Sequence, residues 1–311
     1  MFDLTDKIFS DKEAARKHLE GIRWADGRFC PHCGECERTS PVKSQKSRPG
    51  LYYCNSCKKQ FTVTVGTLFE RSKVPLNKWI AAFHLMTSSK KGISAHQIHR
   101  MLGVTYKTAW FMCHRIREAM RPGADFGPLG GEGKTVEADE TFIGGKVKNM
   151  HRSKRPTKKL GGSWGKETVF SLVERGGRVK SVHTPSVSAA TLRPILFAQV
   201  DRKSFLMTDD AGQYRHMNRD FKHTAVNHSA GEYVRGEAHT NTVEGYFSIL
   251  KRGVTGTYHH VSQKHLKRYL AEFDFRYNER SALGVTDTQR ANKALAGIEG
   301  KRMTYQQPDG R

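Results

Sequence analysis

SFLMTDD, residues 204–210, is a short apolar run that ends in two aspartates, Asp209 and Asp210. Its composition predicts a buried β-strand with both carboxylates at its end. A second strand-like segment, TVEADETFIGG (135–145), carries Asp139. The positions of these acids are informative because the chain holds 53 Lys and Arg but only 30 Asp and Glu. The sequence therefore predicts a sheet that displays carboxylates in an otherwise basic protein.

A third carboxylate lies on a predicted helix, NTVEGYFSILKRG (241–253), which carries Glu244 and, seven residues later, Lys251. Seven residues span two helical turns, so both side chains share one helix face. Strand-end aspartates and a helix-borne glutamate supply the oxygen ligands that hard divalent cations prefer. Two such ions about 4 Å apart promote phosphodiester displacement, and Lys251 would hold a phosphate beside them. We therefore predict that Asp139, Asp209 and Glu244 form a metal-binding triad.

Three alternative residues stay open for this site: Asp210, Asn241 and Glu137. The first, Asp210, directly follows Asp209, and the alternation of side chains along a strand does not decide which of the two faces the site. The second lies one turn before Glu244 on the same helix face and offers a neutral ligand. The third shares strand parity with Asp139 and is the rival carboxylate of the first strand. We favour Glu244 because its charge and its two-turn step to the following lysine suit the role.

Strands and helices alternate around these segments. ETVFSLVE and GRVKSVHT are strand-like, whereas SAATLRPILFAQV and SQKHLKRYLAEFDFRYNER are helical. This order predicts an α/β domain built on a mixed sheet over residues 131–285, followed by a C-terminal tail over 286–311. The Gly- and Pro-rich stretch RPGADFGPLGGEGK (121–134) reads as the linker that leads into the domain.

The N-terminal part combines a predicted helix over residues 1–25 with a cysteine-rich segment over 26–70. Two C-x2-C pairs, Cys30/Cys33 and Cys54/Cys57, are separated by 20 residues, a spacing typical of a four-thiolate zinc site. Cys36 also forms a C-x2-C pair with Cys33, but Pro31 and Gly34 favour the first register. We predict a zinc ribbon with one structural Zn²⁺, because four protein ligands leave no open position for chemistry.

Residues 71–125 have the rhythm of a helix-turn-helix, with a first helix ending at Leu102, a turn at Gly103 and a second helix starting near Thr105. At the N-terminal end of the second helix, three side chains would face a DNA major groove: Tyr106, Lys107 and Thr108. An ordinary helical hairpin with a solvated basic face is the alternative.

A second basic segment, KVKNMHRSKRPTKK (146–159), holds seven Lys and Arg and no acid. Because it directly follows the strand that carries Asp139, it is a candidate arm that crosses the DNA backbone. The candidate contacts on this arm are Lys154, Arg155, Lys158 and Lys159. A solvated hairpin loop is the alternative interpretation.

The net charge of the chain is +23, which favours a polyanionic partner, and nucleic acid is the first candidate. A hydrophobic fraction of 37% excludes wholesale disorder. The sequence contains no apolar run of transmembrane length, and its first residues lack the pattern of a signal peptide. We therefore expect a cytoplasmic, nucleoid-associated protein without a membrane partner.

The chain resembles the DDE transposases of bacterial insertion sequences, in particular the zinc-ribbon-containing ISXO-like group. The motifs that carry the resemblance are CPHCG…CNSC, ADETFIGGK, MTDDAGQY, HTNTVEGYFSILKRGVTGTYHHVS and HLKRYLAEFDFRYNER. The resemblance implies an RNase H-like catalytic domain in which Asp139, Asp209 and Glu244 bind two Mg²⁺ (or Mn²⁺), with Lys251 as the associated basic residue.

The resemblance also implies an activity. A DNA transposase of this type hydrolyses phosphodiesters at the element ends and transfers the 3′-hydroxyl into target DNA, so double-stranded DNA is the expected partner. Holding two ends together calls for a homo-oligomer. Two alternative functions remain: a zinc-ribbon DNA-binding regulator, and a metal-dependent nuclease that lacks strand transfer.

Overall fold

The computed structural model describes residues 4–43, 48–123, 126–145, 147–156, 161, 163–226 and 239–304. Within these ranges, no helix combines the length and the apolar character that a membrane crossing requires. The chain divides by its contacts into two compact units, Met1–Arg121 with Glu279–Arg311, and Pro122–Asn278. Each unit contains a buried hydrophobic cluster.

The first unit begins with two helices, α1 (Lys7–Ser10) and α2 (Lys12–Arg23), where the sequence predicts one helix over residues 1–25. The interruption is at Asp11, whose carboxylate accepts hydrogen bonds from the backbone N–H groups of Glu13 (2.5 Å) and Ala14 (3.0 Å). An aspartate in an N-cap position starts a new helix, because it satisfies donors that the first turn leaves without helical partners.

The cysteine-rich segment forms a three-stranded antiparallel sheet in the order β1 (Thr39–Pro41), β2 (Tyr52–Cys54) and β3 (Gln60–Phe61). Its buried cluster is small and includes Tyr52 and Phe61, against which Trp24 packs. So few apolar side chains do not stabilise a fold of this size, which explains the need for a metal cross-link.

Three further helices follow: α3 (Leu76–Ser88), α4 (Ala95–Leu102) and α5 (Tyr106–Ala119). The last two form the predicted helix-turn-helix, with Gly103 in the left-handed region (φ 57°) at the end of α4. Such a conformation favours glycine because a Cβ atom would be strained there. Thr105 caps α5 through its hydroxyl, which accepts the N–H of Thr108 at 3.2 Å.

The second unit is built on a five-stranded sheet whose order is β6-β5-β4-β7-β8. Strand β5 is antiparallel to both of its neighbours, β4 and β6, whereas β4, β7 and β8 run parallel. The strands span the following residues: β4 Thr135–Ile143, β5 Glu167–Glu174, β6 Val179–Thr184, β7 Phe205–Asp209 and β8 Lys222–Val226. The sheet is therefore mixed, as predicted.

Helices cover both faces of this sheet: α6 (Ala189–Gln199) packs on one, and α7 (Asn241–Gly253) with α8 (Gln263–Asn278) packs on the other. Strand β5 shows why, since Phe170 and Leu172 point to the α6 side while Val169 and Val173 point to the α7 side. This arrangement confirms the predicted fold class, an RNase H-like mixed-sheet domain preceded by a zinc ribbon.

Two elements depart from the sequence prediction. Strand β8 was not expected because its sequence, KHTAV, is short and half polar, as an edge strand permits. Within the predicted tail 286–311, residues Asp287–Ala296 form helix α9, which packs on α3 in the first unit. A capping box between Thr286 and Gln289 starts this helix. The second unit accordingly ends at Asn278 rather than at residue 285.

Candidate active site and zinc centre

The structure brings together the four predicted zinc ligands, Cys30, Cys33, Cys54 and Cys57. Their sulfur atoms all lie within 4.8 Å of one another, and two of the Sγ–Sγ separations, Cys30–Cys57 and Cys33–Cys54, are 3.7 Å. Tetrahedral Zn²⁺ with Zn–S bonds of about 2.3 Å places its sulfurs about 3.8 Å apart. The cluster therefore has the donors and the size that a structural zinc ion requires.

Local geometry separates Cys36 from this cluster. Its exposed thiol donates to the carbonyl of Gly34 at 3.3 Å, whereas Gly34 itself adopts a positive φ of 78° that closes the first pair. Backbone N–H groups of Cys57 and Ser56 lower the pKa of the Cys54 thiol to about 7. Cys54 therefore supplies a thiolate, the form that binds metal, near neutral pH.

In the second unit, Asp139 and Asp209 follow the paired segment of two neighbouring strands. The parallel strands β4 and β7 pair from Thr135 with Phe205 to Glu137 with Met207, where the pairing ends. Continued for two residues along both strands, this register would set Asp139 opposite Asp209, and the charge of Asp209 raises the pKa of Asp139. Both aspartates belong to the alternation that faces α7, because the intervening positions face α6.

The third carboxylate reaches this face from the first turn of α7. Glu244 is exposed and accepts a hydrogen bond from the Thr240 hydroxyl at 3.1 Å. Lys251 lies two turns further along α7 and is also exposed. Of the alternative residues, Asn241 is the exposed first residue of α7, and Asp210 is exposed just beyond the end of β7.

The pKa of Asp139 depends on its burial and on three neighbouring carboxylates. Burial, together with the charges of Glu140, Asp209 and Glu244, raises the pKa of Asp139 to about 7, against the backbone N–H of Glu140, which lowers it. Burial also raises the pKa of Glu140 to about 7, although the Tyr214 hydroxyl donates to it at 2.6 Å. A cation at this site would relieve the repulsion between these groups.

The three carboxylates do not form a compact single-ion cage. Among the described residues, the four cysteines are the one group of three or more potential metal ligands whose donor atoms all lie within 4.8 Å of one another. A cavity of about 350 Å³ opens beside Asp209, and its lining includes Tyr214, Arg215 and His223. Asp209 is therefore reached from an open cavity at the end of β7.

Two carboxylates near Asp139 have roles that the sequence did not separate. Glu137, the rival of Asp139, is fully buried and accepts hydrogen bonds from the first turn of α7, so it does not face the open site. Glu140, which was not predicted, adjoins Asp139 from the opposite alternation of β4. The repeated acids in VEADE were its only sequence signal.

The predicted DNA-binding side chains at the start of α5 are accessible. Tyr106 is 44% exposed and stacks on His96, with ring centroids 4.2 Å apart. Lys107 is exposed, and the Thr108 hydroxyl lies 2.8 Å from that of Thr105. A cavity of about 310 Å³ adjoins Lys107 and Thr108, and three basic residues that the sequence did not nominate also line it: Arg71, Lys73 and Arg115.

The predicted basic arm is described in part. Arg155 is exposed and donates to the carbonyls of Met150 (3.0 Å) and Lys148 (2.7 Å), so its guanidinium helps to fold the segment. Lys154 ends a short 3-10 turn, Arg152–Lys154. Lys158 and Lys159 lie outside the described residues.

Two family models match the chain. Residues 10–60 match the transposase zinc-ribbon domain, and residues 128–278 match the ISXO2-like transposase domain. The chain therefore carries a transposase zinc-ribbon domain followed by an ISXO2-like transposase domain. Its activity class is accordingly that of a DNA transposase, and the resemblance found in the sequence is confirmed.

Individual relatives agree with this assignment. The chain is 29% identical over 285 residues to an uncharacterized protein in transposable element ISH50 of Halobacterium salinarum. The aligned residues make up 87% of this chain and 92% of that protein. An uncharacterized transposase-like protein of Haemophilus influenzae is 28% identical over 102 residues, 32% of this chain and 81% of that protein. A chain in the crystal structure of a pre-cleavage Mos1 transpososome was also matched. The match covers 70% of this chain and 74% of that chain, with 10% sequence identity and a TM-score of 0.27.

Proposed function

We propose that this protein cuts DNA at the ends of its insertion element and joins the freed 3′-hydroxyl to target DNA, with Asp139, Asp209 and Glu244 as ligands of two divalent cations, Mg²⁺ or Mn²⁺. The observation that supports the proposal is the proximity of three acids: the charges of Asp209 and Glu244 both act on the carboxyl of Asp139, and β4 and β7 are paired neighbours just before the two aspartates. The third carboxylate then approaches from the first turn of α7.

The donor chemistry supports divalent cations. All three side chains offer carboxylate oxygens, the ligands that Mg²⁺ and Mn²⁺ prefer. Burial and, after it, repulsion from neighbouring carboxylates raise the pKa of Asp139, and a bound cation would offset both effects.

Each residue has a separate task in the proposed reaction. Bound divalent cations would favour attack on the phosphodiester and stabilise charge on the leaving oxygen. Asp139 and Asp209 hold their position through the sheet, and Glu244 completes the oxygen donors from the helix. Lys251, two turns from Glu244 on the same helix face, would hold a DNA phosphate and fix the strand. The same site would serve hydrolysis and strand transfer, because both are displacements at phosphorus.

DNA binding is assigned to other parts of the chain. The start of α5 presents Tyr106, Lys107 and Thr108 for base and phosphate contacts, and the segment that contains Lys154, Arg155, Lys158 and Lys159 would contact the backbone. Joining two element ends calls for a homo-oligomer on DNA. A protein that acts on such DNA would work in the cytoplasm, associated with the nucleoid.

The decisive test is movement of a marker gene flanked by the native flanking DNA of this gene. We expect movement with the wild-type protein and none with Asp139→Ala, because the variant loses one of the two adjacent strand ligands. Glu244→Gln should likewise abolish cleavage of labelled end DNA while DNA binding persists. Asn241→Ala is the matched control on the same helix turn and should still cleave.

The outcomes separate the alternatives. Cleaved but unjoined products would indicate a nuclease without strand transfer. DNA binding without Mg²⁺-dependent cleavage would indicate a regulator. Cleavage that survives in Glu244→Gln but is lost in Asn241→Ala would transfer the role of third ligand to Asn241.

A further inference from the structure

Glu137 lies on the same face of β4 as Asp139, but protein donors surround its carboxylate. This side chain is fully buried. The backbone N–H groups of Thr242 (2.8 Å) and Val243 (2.9 Å) donate to it, as does the Thr242 hydroxyl at 2.8 Å. Arg175 Nε donates to the same carboxylate at 2.6 Å. A buried carboxylate with this many donors is held in one position.

These hydrogen bonds replace the usual cap of α7. A helix normally begins with a side chain at the N-cap that accepts the N–H groups of the second and third helical residues. The N-cap here is Thr240, and its side chain makes no such bond. Glu137 accepts both N–H groups instead, from a strand more than 100 residues earlier in the chain. A negative charge at this end of α7 also interacts favourably with the helix dipole.

Because Glu137 caps the helix, the Thr240 hydroxyl makes a different hydrogen bond. It donates to Glu244 Oε1 at 3.1 Å, one turn further along α7. Arg175 extends the same network, since its Nη2 donates to the carbonyl of His239 at 2.9 Å, just before the N-cap. The residues on both sides of the helix start are thereby fixed relative to β4, the strand that carries Asp139.

We infer that Glu137 is a positioning residue: it clamps the start of α7 to β4 and so sets the distance between the carboxylates of Glu244 and Asp139. The inference builds on the proposed function, since it treats Glu244 as a metal ligand. Glu137 touches neither the cations nor DNA in this scheme. Its effect is transmitted through the backbone of Thr242 and Val243 and through the Thr240–Glu244 hydrogen bond.

The test uses the full-length chain and two readouts. The backbone N–H groups of Thr242 and Val243 share Oε2 of Glu137, whereas Arg175 Nε and the Thr242 hydroxyl donate to Oε1. Glu137→Gln loses the negative charge and leaves one oxygen for these two sets of donors, with an NH₂ group facing the other set. Hydrogen exchange of the peptide over residues 239–250 should accelerate at least about tenfold, because the link between α7 and Arg175 through this side chain is broken. Mn²⁺ binding, measured by electron paramagnetic resonance, should weaken about 10- to 100-fold, the usual effect of removing a group that orients a ligand. Exchange in α8 should stay unchanged.

Two further variants control the experiment. Thr242→Val removes only the hydroxyl bond and should weaken Mn²⁺ binding by a few-fold, which protects the test if Glu137→Gln folds poorly. Glu174→Gln is the matched control, because Glu174 is also a buried glutamate of the sheet but accepts from Gly130 (3.1 Å) and Lys134 (2.8 Å). It should change neither readout.

Each result decides a specific point. Unchanged exchange at the start of α7 in Glu137→Gln would overturn the clamp. Faster exchange with unchanged Mn²⁺ binding would overturn the positioning role. A wild-type protein that binds no Mn²⁺ would contradict the proposed function itself, whereas the exchange measurement would still decide whether Glu137 holds α7.

Discussion

Glu137 and Asp139 are acids two residues apart on one face of β4, yet their surroundings differ in kind. Glu137 meets N–H and O–H donors from α7 and Arg175, which satisfy its charge inside the protein. The pKa of Asp139 is raised to about 7, first by burial and then by the negative charges of Glu140, Asp209 and Glu244. The first environment stabilises structure, whereas the second favours an added cation.

Single residues of the zinc centre also support a prediction, which compares Cys54, inside the cysteine cluster, with Cys36, outside it. Cys54→Ser should lose the bound zinc and unfold the ribbon, because its buried cluster is too small to fold without a cross-link. Cys36→Ser should retain about one zinc ion per chain, since its sulfur bonds to Gly34 and lies outside the cluster. Elemental analysis of purified protein measures both. Loss of zinc in Cys36→Ser would mean that the ligand register is the alternative one.

At the scale of elements, α8 is joined to the sheet by polar contacts as well as apolar ones. Asp274 accepts hydrogen bonds from the backbone N–H (2.8 Å) and hydroxyl (2.7 Å) of Ser181 on β6 and from the hydroxyl of Tyr246 on α7 (2.5 Å). The Asn278 side chain bonds both backbone groups of Val179, donating to O at 3.0 Å and accepting from N at 2.6 Å. The two helices on this face therefore share one buried polar network.

This network predicts a pH dependence of stability. Burial raises the pKa of Asp274 from 3.8 to about 6, despite the hydrogen bonds that lower it. Because the folded-state pKa is the higher one, ionisation favours the unfolded chain, and stability is lost as the pH rises from about 4 to 6. Relative to Asp274→Asn, the unfolding free energy of the wild type should fall by about 3 kcal/mol over that range. Urea unfolding at pH 4 and pH 7 gives this difference, and a constant difference would contradict the prediction.

Elements with strong periodicity or clear caps were predictable from the sequence, and the others were not. Strands β4 and β7 and helix α7 have patterns that place Asp139, Asp209 and Glu244 directly. Strand β8 has a polar sequence because an edge strand pairs on one side only. The role of Glu137 depends on contact between β4 and α7, which are far apart in sequence, so no local pattern carries it. Helix α9 had a local signal, the capping box, within a mostly polar segment.

For the whole molecule, the net charge of +23 does not give the number of side chains that contact DNA. Several arginines are used within the first unit to bind main-chain carbonyls. Arg23 donates to Val63 and Val65, and Arg115 donates to Leu68 and Met303. Through these hydrogen bonds, the guanidinium groups hold together chain segments that are far apart in sequence. DNA affinity should therefore depend on where an exposed cation lies rather than on the total charge.

Salt dependence tests this conclusion with two variants of equal charge. Lys107→Gln removes an exposed cation at the start of α5, and Lys17→Gln removes one on α2. Each phosphate contact contributes about 0.9 to the slope of log affinity against log salt concentration. If Lys107 contacts a phosphate, its loss should reduce that slope by about one unit, whereas the slope for Lys17→Gln should match the wild type. Binding of duplex end DNA without divalent cations, measured from 50 to 300 mM salt, isolates this effect from the carboxylate site. Equal slopes for both variants would show that overall charge, rather than the helix-turn-helix, sets DNA affinity.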